Sequence, residues 1–119
     1  MTATADLSMG GIFTGFLRFE KLRVQISSSA TDKELVQLAR RGQTDAITLL
    51  VERYSPRLHR YLIRLAGSPT LADDLLQDTW LRVMERLDSF RPDRPFAPWL
   101  FTVARNRAID ILRKQNRQG

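Results

Sequence analysis

The sequence predicts an all-α fold, a compact bundle of about four helices behind an N-terminal extension. Two observations carry that reading. From Thr31 onward, apolar residues recur every three or four positions, the period of one helix face. Residues that start and stop helices punctuate the same stretch at intervals of one helix length. At 119 residues the chain accommodates one helical core and leaves no comfortable room for a second domain.

Residues 1–30 lack that period. Glycines at 10, 11 and 15 and the serines at 27 to 29 make this segment a disordered extension by expectation. Leu22, Val24 and Ile26 alternate with polar neighbours as a half-exposed strand would, but no second strand offers a partner. The helical domain is expected over residues 31–117. It opens with Thr31-Asp32-Lys33-Glu34, a capping box in which Thr31 and Glu34 satisfy each other's free amides. A short first helix ends at Gly42. Thr44 is placed to cap the second, whose buried face is Ala46, Leu49, Leu50, Tyr54, Leu58, Tyr61, Leu62 and Leu65. Pro56 interrupts it, predicting a kink or short break near Ser55, and Gly67 stops it. Ser68-Pro69-Thr70 starts a third helix that buries Ala72, Leu75, Leu76, Thr79, Trp80, Val83 and Leu87. Three prolines make Asp88 to Pro98 an ordered loop, and a last helix begins near Pro98.

Composition removes several function classes. Without cysteine there is no disulfide, thiolate metal site or cysteine nucleophile, which fits a reducing cytoplasm. His59 is the only histidine, so neither a histidine pair for a metal nor a histidine triad is available, and it reads as a partly exposed helix residue. No apolar run approaches the ~20 residues needed to cross a bilayer, so no membrane insertion is expected. No metal, cofactor or catalytic residue is assigned.

The formal charge of +6 favours a polyanionic partner. It is unevenly placed. Residues 86–119 hold eight basic residues against three acidic ones, whereas residues 71–85 hold Asp73, Asp74, Asp78 and Glu85 against Arg82 alone. An acidic helix beside a basic loop and helix suggests two different partners. On the last helix Thr102, Arg105, Asn106, Ile109, Asp110 and Arg113 fall opposite the apolar stripe. Asparagine pairs with base edges and arginine with phosphates or guanine, although a plain solvated face would look similar. Nearby, Phe90, Phe96, Trp99 and Phe101 interleave with Arg91, Arg94 and Arg105, a composition suited to unstacked bases. Phe96 and Trp99 also sit at core spacing, and Trp99 is expected to be at least half buried.

Three blocks carry a family resemblance: Asp73-Asp74-Leu75-Leu76-Gln77-Asp78 with Trp80-Leu81-Arg82, Phe96-Ala97-Pro98-Trp99-Leu100-Phe101, and Ala104-Arg105-Asn106-Arg107-Ala108-Ile109-Asp110-Ile111-Leu112-Arg113. In this order and spacing the chain, from about Thr31 to Arg117, resembles region two of the extracytoplasmic-function (ECF) bacterial sigma factors. The resemblance implies a transcription-initiation domain, not an enzyme, that binds RNA polymerase core and recognises and helps melt the promoter minus-ten element. It implies that Asp74, Gln77, Asp78, Leu81 and Glu85 dock on the clamp coiled coil of the polymerase's largest subunit. It implies that the loop at Asp88 to Pro95 takes up a flipped non-template base of single-stranded minus-ten DNA, and that Asn106 and its neighbours read adjacent bases. An anti-sigma factor is a further implied partner, with the acidic helix one surface it could cover. Thr102 stands where many relatives carry a basic residue, so a phosphate contact is not implied there. The minus-thirty-five-binding domain that relatives carry next is not expected in this chain, either because the chain is an excised fragment, the favoured reading, or because the natural protein is unusual.

Three alternatives compete, and one of them, a pure protein-interaction module, would leave the Arg105 and Asn106 face idle. An aspartate-rich helix binds magnesium diphosphates in some enzymes, but that chemistry needs a second acidic motif and a larger cavity than this chain encloses. A stand-alone helical DNA-binding repressor is equally basic and helical, and it predicts tight duplex binding without polymerase.

Overall fold

The computed structural model describes residues 30–118. The extension, apart from Ala30, lies outside them, and with it the expected disorder and the alternation at Leu22 to Ile26. Four helices follow in order: α1 (Asp32–Arg40), α2 (Thr44–Ala66), α3 (Pro69–Arg86) and α4 (Phe96–Gln118). A single 3₁₀ turn, Leu87–Ser89, leads out of α3.

Local chemistry explains the boundaries. At the start of α1 the Thr31 hydroxyl accepts from the Glu34 amide at 3.1 Å, and the Glu34 carboxylate accepts from the Thr31 amide at 2.8 Å. That is the expected capping box. Helix α1 ends in a left-handed turn at Gly42, φ +90°, which lets the Gly42 and Gln43 amides return to the Ala39 and Leu38 carbonyls. This return carries the chain into α2 one residue earlier than expected. Gln43 occupies the N-cap without a side-chain capping bond, and Thr44 is already helical.

Helix α2 runs unbroken through Pro56, so the expected break is not there. Its flank is held from outside: the Trp80 indole of α3 donates to the Ser55 hydroxyl at 3.0 Å. Tertiary packing outweighs one missing hydrogen bond when a long helix buries a full face. Gly67 (φ +72°) then closes α2 through its amide on the Ile63 carbonyl. Ser68 caps α3, with Pro69 at the first helical position. Helix α4 begins at Phe96, two residues before the expected Pro98. A proline in the first turn loses only an amide that has no helical partner.

The core is one cluster of aliphatic and aromatic residues. Leu35, Val36, Leu50, Leu58, Leu62, Leu75, Val83 and Leu100 have no exposed surface. Helix α2 packs against all three other helices, and α3 packs against α4. Each buried leucine or valine contributes roughly 1.5–3 kcal/mol. The second helix's predicted stripe is as expected, with Tyr61 and Leu65 at its half-buried margin. Thr79, the sole polar residue in the core among the described residues, places its hydroxyl on the Leu75 carbonyl at 2.7 Å, which removes the cost of burying it.

Candidate nucleic-acid and polymerase interfaces

Helix α3 presents one exposed face that the bundle does not cover. Asp74, Gln77, Leu81 and Glu85 stand on it in the open. Leu81 is 55% exposed, and Met84, one turn along, is 50% exposed. Two large apolar side chains among carboxylates suit a protein partner better than water. Met84 is not legible as a site residue in the sequence. Its only signal there is the spacing of three from Leu81.

Asp78 is placed differently. It is half buried and forms an ion pair with Arg107 of α4. The same side chain therefore stitches α3 to α4 and lies at the edge of the exposed face. Asp73 faces another way again, bonding the imidazole of His59 through Nε2 at 2.7 Å. The three aspartates of this helix thus differ in place: Asp73 on His59, Asp78 on Arg107 and Asp74 on the exposed face. His59 is half buried on α2, as a structural helix residue would be.

The link from α3 to α4 and the first turns of α4 enclose a depression of about 520 Å³. Phe90 and Trp99 contribute rings to it, Pro95 and Pro98 line it, and Arg91 and Arg94 stand at its rim. Phe90 and Phe96, both expected to face DNA, are core residues with 4% and 3% of their surface exposed. Their rings pack at 5.7 Å, nearly perpendicular, and Phe96 continues inward to Tyr54 at 5.7 Å. The reason is the helix start at Phe96: it turns the Phe96 ring inward with Leu100. Trp99 is the outermost ring of the cluster, 4.8 Å from Phe90 and more than half buried, as expected. The wall of the depression is thus braced from the core. Arg91 pairs with Asp93 at 3.5 Å, but both side chains are about two-thirds exposed, so the pair is a weak one.

Farther along α4, Thr102, Arg105, Asn106, Asp110 and Arg113 are all exposed, with Ile109 half buried among them. A second groove of about 500 Å³ gathers Arg105, Asn106, Ile109, Asp110 and Arg113, and adds Arg82 and Arg86 from α3 and Arg107. Arg107 comes from α4 itself, whereas only the α3–α4 packing brings Arg82 and Arg86 to this polar face. Thr102 lies on the first depression instead.

The chain matches the family described as sigma-70 region 2 over residues 50–118. It belongs to that family. Region 2 is a transcription-initiation domain and not an enzyme. This region 2 is 39% identical over 85 residues to the ECF RNA polymerase sigma factor BldN of Streptomyces coelicolor, covering 71% of this chain and 32% of BldN. It is 42% identical over 76 residues to the RNA polymerase sigma factor CarQ of Myxococcus xanthus, covering 64% and 44%. It is 33% identical over 93 residues to the ECF RNA polymerase sigma-E factor of Escherichia coli, covering 78% and 48%. The chain therefore spans a third to a half of the length of these relatives. Among solved structures, an engineered region 2 of sigmaE in complex with GTAAAA superposes with a TM-score of 0.69 at 33% identity, covering 74% of this chain and 92% of that one.

Proposed function

We propose that this region 2 docks on RNA polymerase core and captures a flipped non-template base of the promoter minus-ten element in the depression between Phe90, Arg94 and Trp99. The carrying observation is the depression itself: aromatic and proline walls backed by the core, with cations at the mouth. A base leaving the duplex loses stacking, which an apolar wall replaces, and the freed strand carries phosphates, which Arg91 and Arg94 attract. Phe90 and Phe96 act from beneath, setting the wall, while Trp99 meets the base. Asn106, Arg105 and Arg113, with Thr102, Ile109 and Asp110 around them, read the adjoining bases and backbone from α4. The relative solved in complex with GTAAAA supports a short run of promoter bases as ligand.

The outer face of α3, through Asp74, Gln77, Leu81, Met84 and Glu85, supplies the polymerase contact on the clamp coiled coil of the largest subunit, with Asp78 at its edge. An anti-sigma factor would cover the same face. This function places the protein in the cytoplasm with the polymerase. No helix among the described residues is long and apolar enough to cross a membrane.

Fluorescence-detected binding to polymerase core tests the docking half, using the unchanged chain and an Asp74→Arg, Gln77→Ala, Glu85→Arg variant that keeps the Asp78–Arg107 pair. Tight binding by the unchanged chain, abolished in the variant, is expected. A GTAAAA single strand and its duplex test the other half, with the single strand expected to bind better. A chain that ignores core and prefers the duplex would instead be a stand-alone repressor.

A further inference from the structure

We propose that Arg40 of α1 is a positioning residue for base capture: its guanidinium clamps the main chain of the α3–α4 link in the shape that walls the pocket. The inference rests on the base-capture function above. Arg40 lies outside the basic run at residues 86–119 and is separated from the link by nearly 50 positions. Its Nε donates to the Leu87 carbonyl at 2.9 Å, and its Nη2 donates to the Asp88 carbonyl at 2.9 Å and to the Phe90 carbonyl. Two carbonyls of one short turn and that of Phe90 just after it therefore converge on a single half-buried cation.

The chemistry is that of a clamp. The 3₁₀ turn closes through the Phe90 amide on the Leu87 carbonyl at 3.2 Å, and the guanidinium gives that oxygen a second donor while reaching the Asp88 and Phe90 carbonyls as well. A guanidinium meets several such oxygens in one plane because its donors are fixed in a fork, and charge assistance strengthens each bond. A lysine ammonium is a compact point charge and cannot span the same three sites. The link is also where the pocket begins. Phe90 leaves the turn in extended conformation (φ −70°, ψ 135°), with its ring 4.8 Å from Trp99, and Arg91 follows at the rim. Releasing the Phe90 carbonyl frees the backbone that aims this ring, while the docking face on α3 lies outside the turn that Arg40 holds.

The test uses the whole chain with Arg40→Lys and Arg40→Gln, on GTAAAA single strands in which each position in turn is abasic. In the unchanged chain one position is expected to lose about tenfold or more in affinity when its base is removed, the scale of a single base–aromatic stack. In both variants that penalty is expected to shrink at least fivefold, with circular dichroism, core-polymerase affinity and the salt dependence of binding unchanged. Arg40→Lys keeps the stem and charge, so it reports even if Arg40→Gln fails to fold. Three results overturn the proposal: a full abasic penalty in folded variants, a shallower salt slope marking Arg40 as a phosphate contact, or a loss of polymerase affinity and helicity together with the penalty, marking a merely structural role. If the unchanged chain shows no position-dependent penalty, base capture itself is wrong and the clamp has nothing to position.

Discussion

Tyr54 carries the clearest electrostatic perturbation in the domain. Burial, and then the bond its hydroxyl donates to Asp32, push the phenol from 10.0 up to about 12. The folded chain thus holds a proton between these values that the unfolded chain has released. Stability supported by Tyr54 is complete below pH 10 and declines as pH rises toward 12. Chemical denaturation across pH 9 to 12 should show that decline, and Tyr54→Phe should flatten it while costing about 1 kcal/mol at neutral pH for the missing hydrogen bond. Asp32 also pairs with Arg53 at 2.8 Å, so the same carboxylate joins α1 to α2 twice. At the proposed pocket, Trp99→Ala should weaken single-stranded GTAAAA binding by roughly tenfold, the lower part of the range for one stacked base. Titration of labelled oligonucleotide checks it. Asp93→Ala, by contrast, removes only an exposed partner of Arg91 and should change that affinity little.

At the scale of elements, the helix ends behave as isolated motifs and their variants should too. Thr31→Ala removes the capping box of α1 and should cost about 1 kcal/mol by urea denaturation. Pro56 lies exposed inside an unbroken helix, so Pro56→Ala should raise stability by about 1–3 kcal/mol, read as a higher melting temperature. The contrast between these two positions shows what is legible in a sequence. The Thr31–Glu34 box, Gly42, Gly67 and Ser68-Pro69 are all readable because caps depend on residues within four positions of each other. The fate of Pro56 is not, because what carries α2 past it is a buried face and a Trp80–Ser55 bond spanning 25 residues. The helix start at Phe96 escapes a linear reading for a similar reason. A proline at the third helical position is locally permissive, and packing of Phe96 on Tyr54 and Phe90 settles the boundary.

For the whole molecule, the proposed binding rests on charge placement. Arg91, Arg94, Arg105 and Arg113 border the two depressions on the α4 side. Removing one arginine–phosphate interaction should reduce the slope of log affinity against log salt by about 0.7 for a single strand. Arg105→Ala should show that change at unchanged stability, measured by titration at several salt concentrations. By itself, the sequence determined the all-α class, the four helices of the described residues, most of the buried stripes, the acidic outer face of α3 and the exposed polar face of α4. All of these follow from periodicity and nearest-neighbour chemistry, which a linear pattern records. Tertiary structure alone decided that Phe90 and Phe96 support the pocket from within, that Asp78 turns to Arg107, that Arg82 and Arg86 join the polar face of α4 and that Arg40 reaches the Leu87–Phe90 carbonyls. Those interactions join residues far apart in the chain, 29 positions for Asp78 and Arg107 and 50 for Arg40 and Phe90, or depend on which way a ring turns, and only the packing of one helix on another sets either.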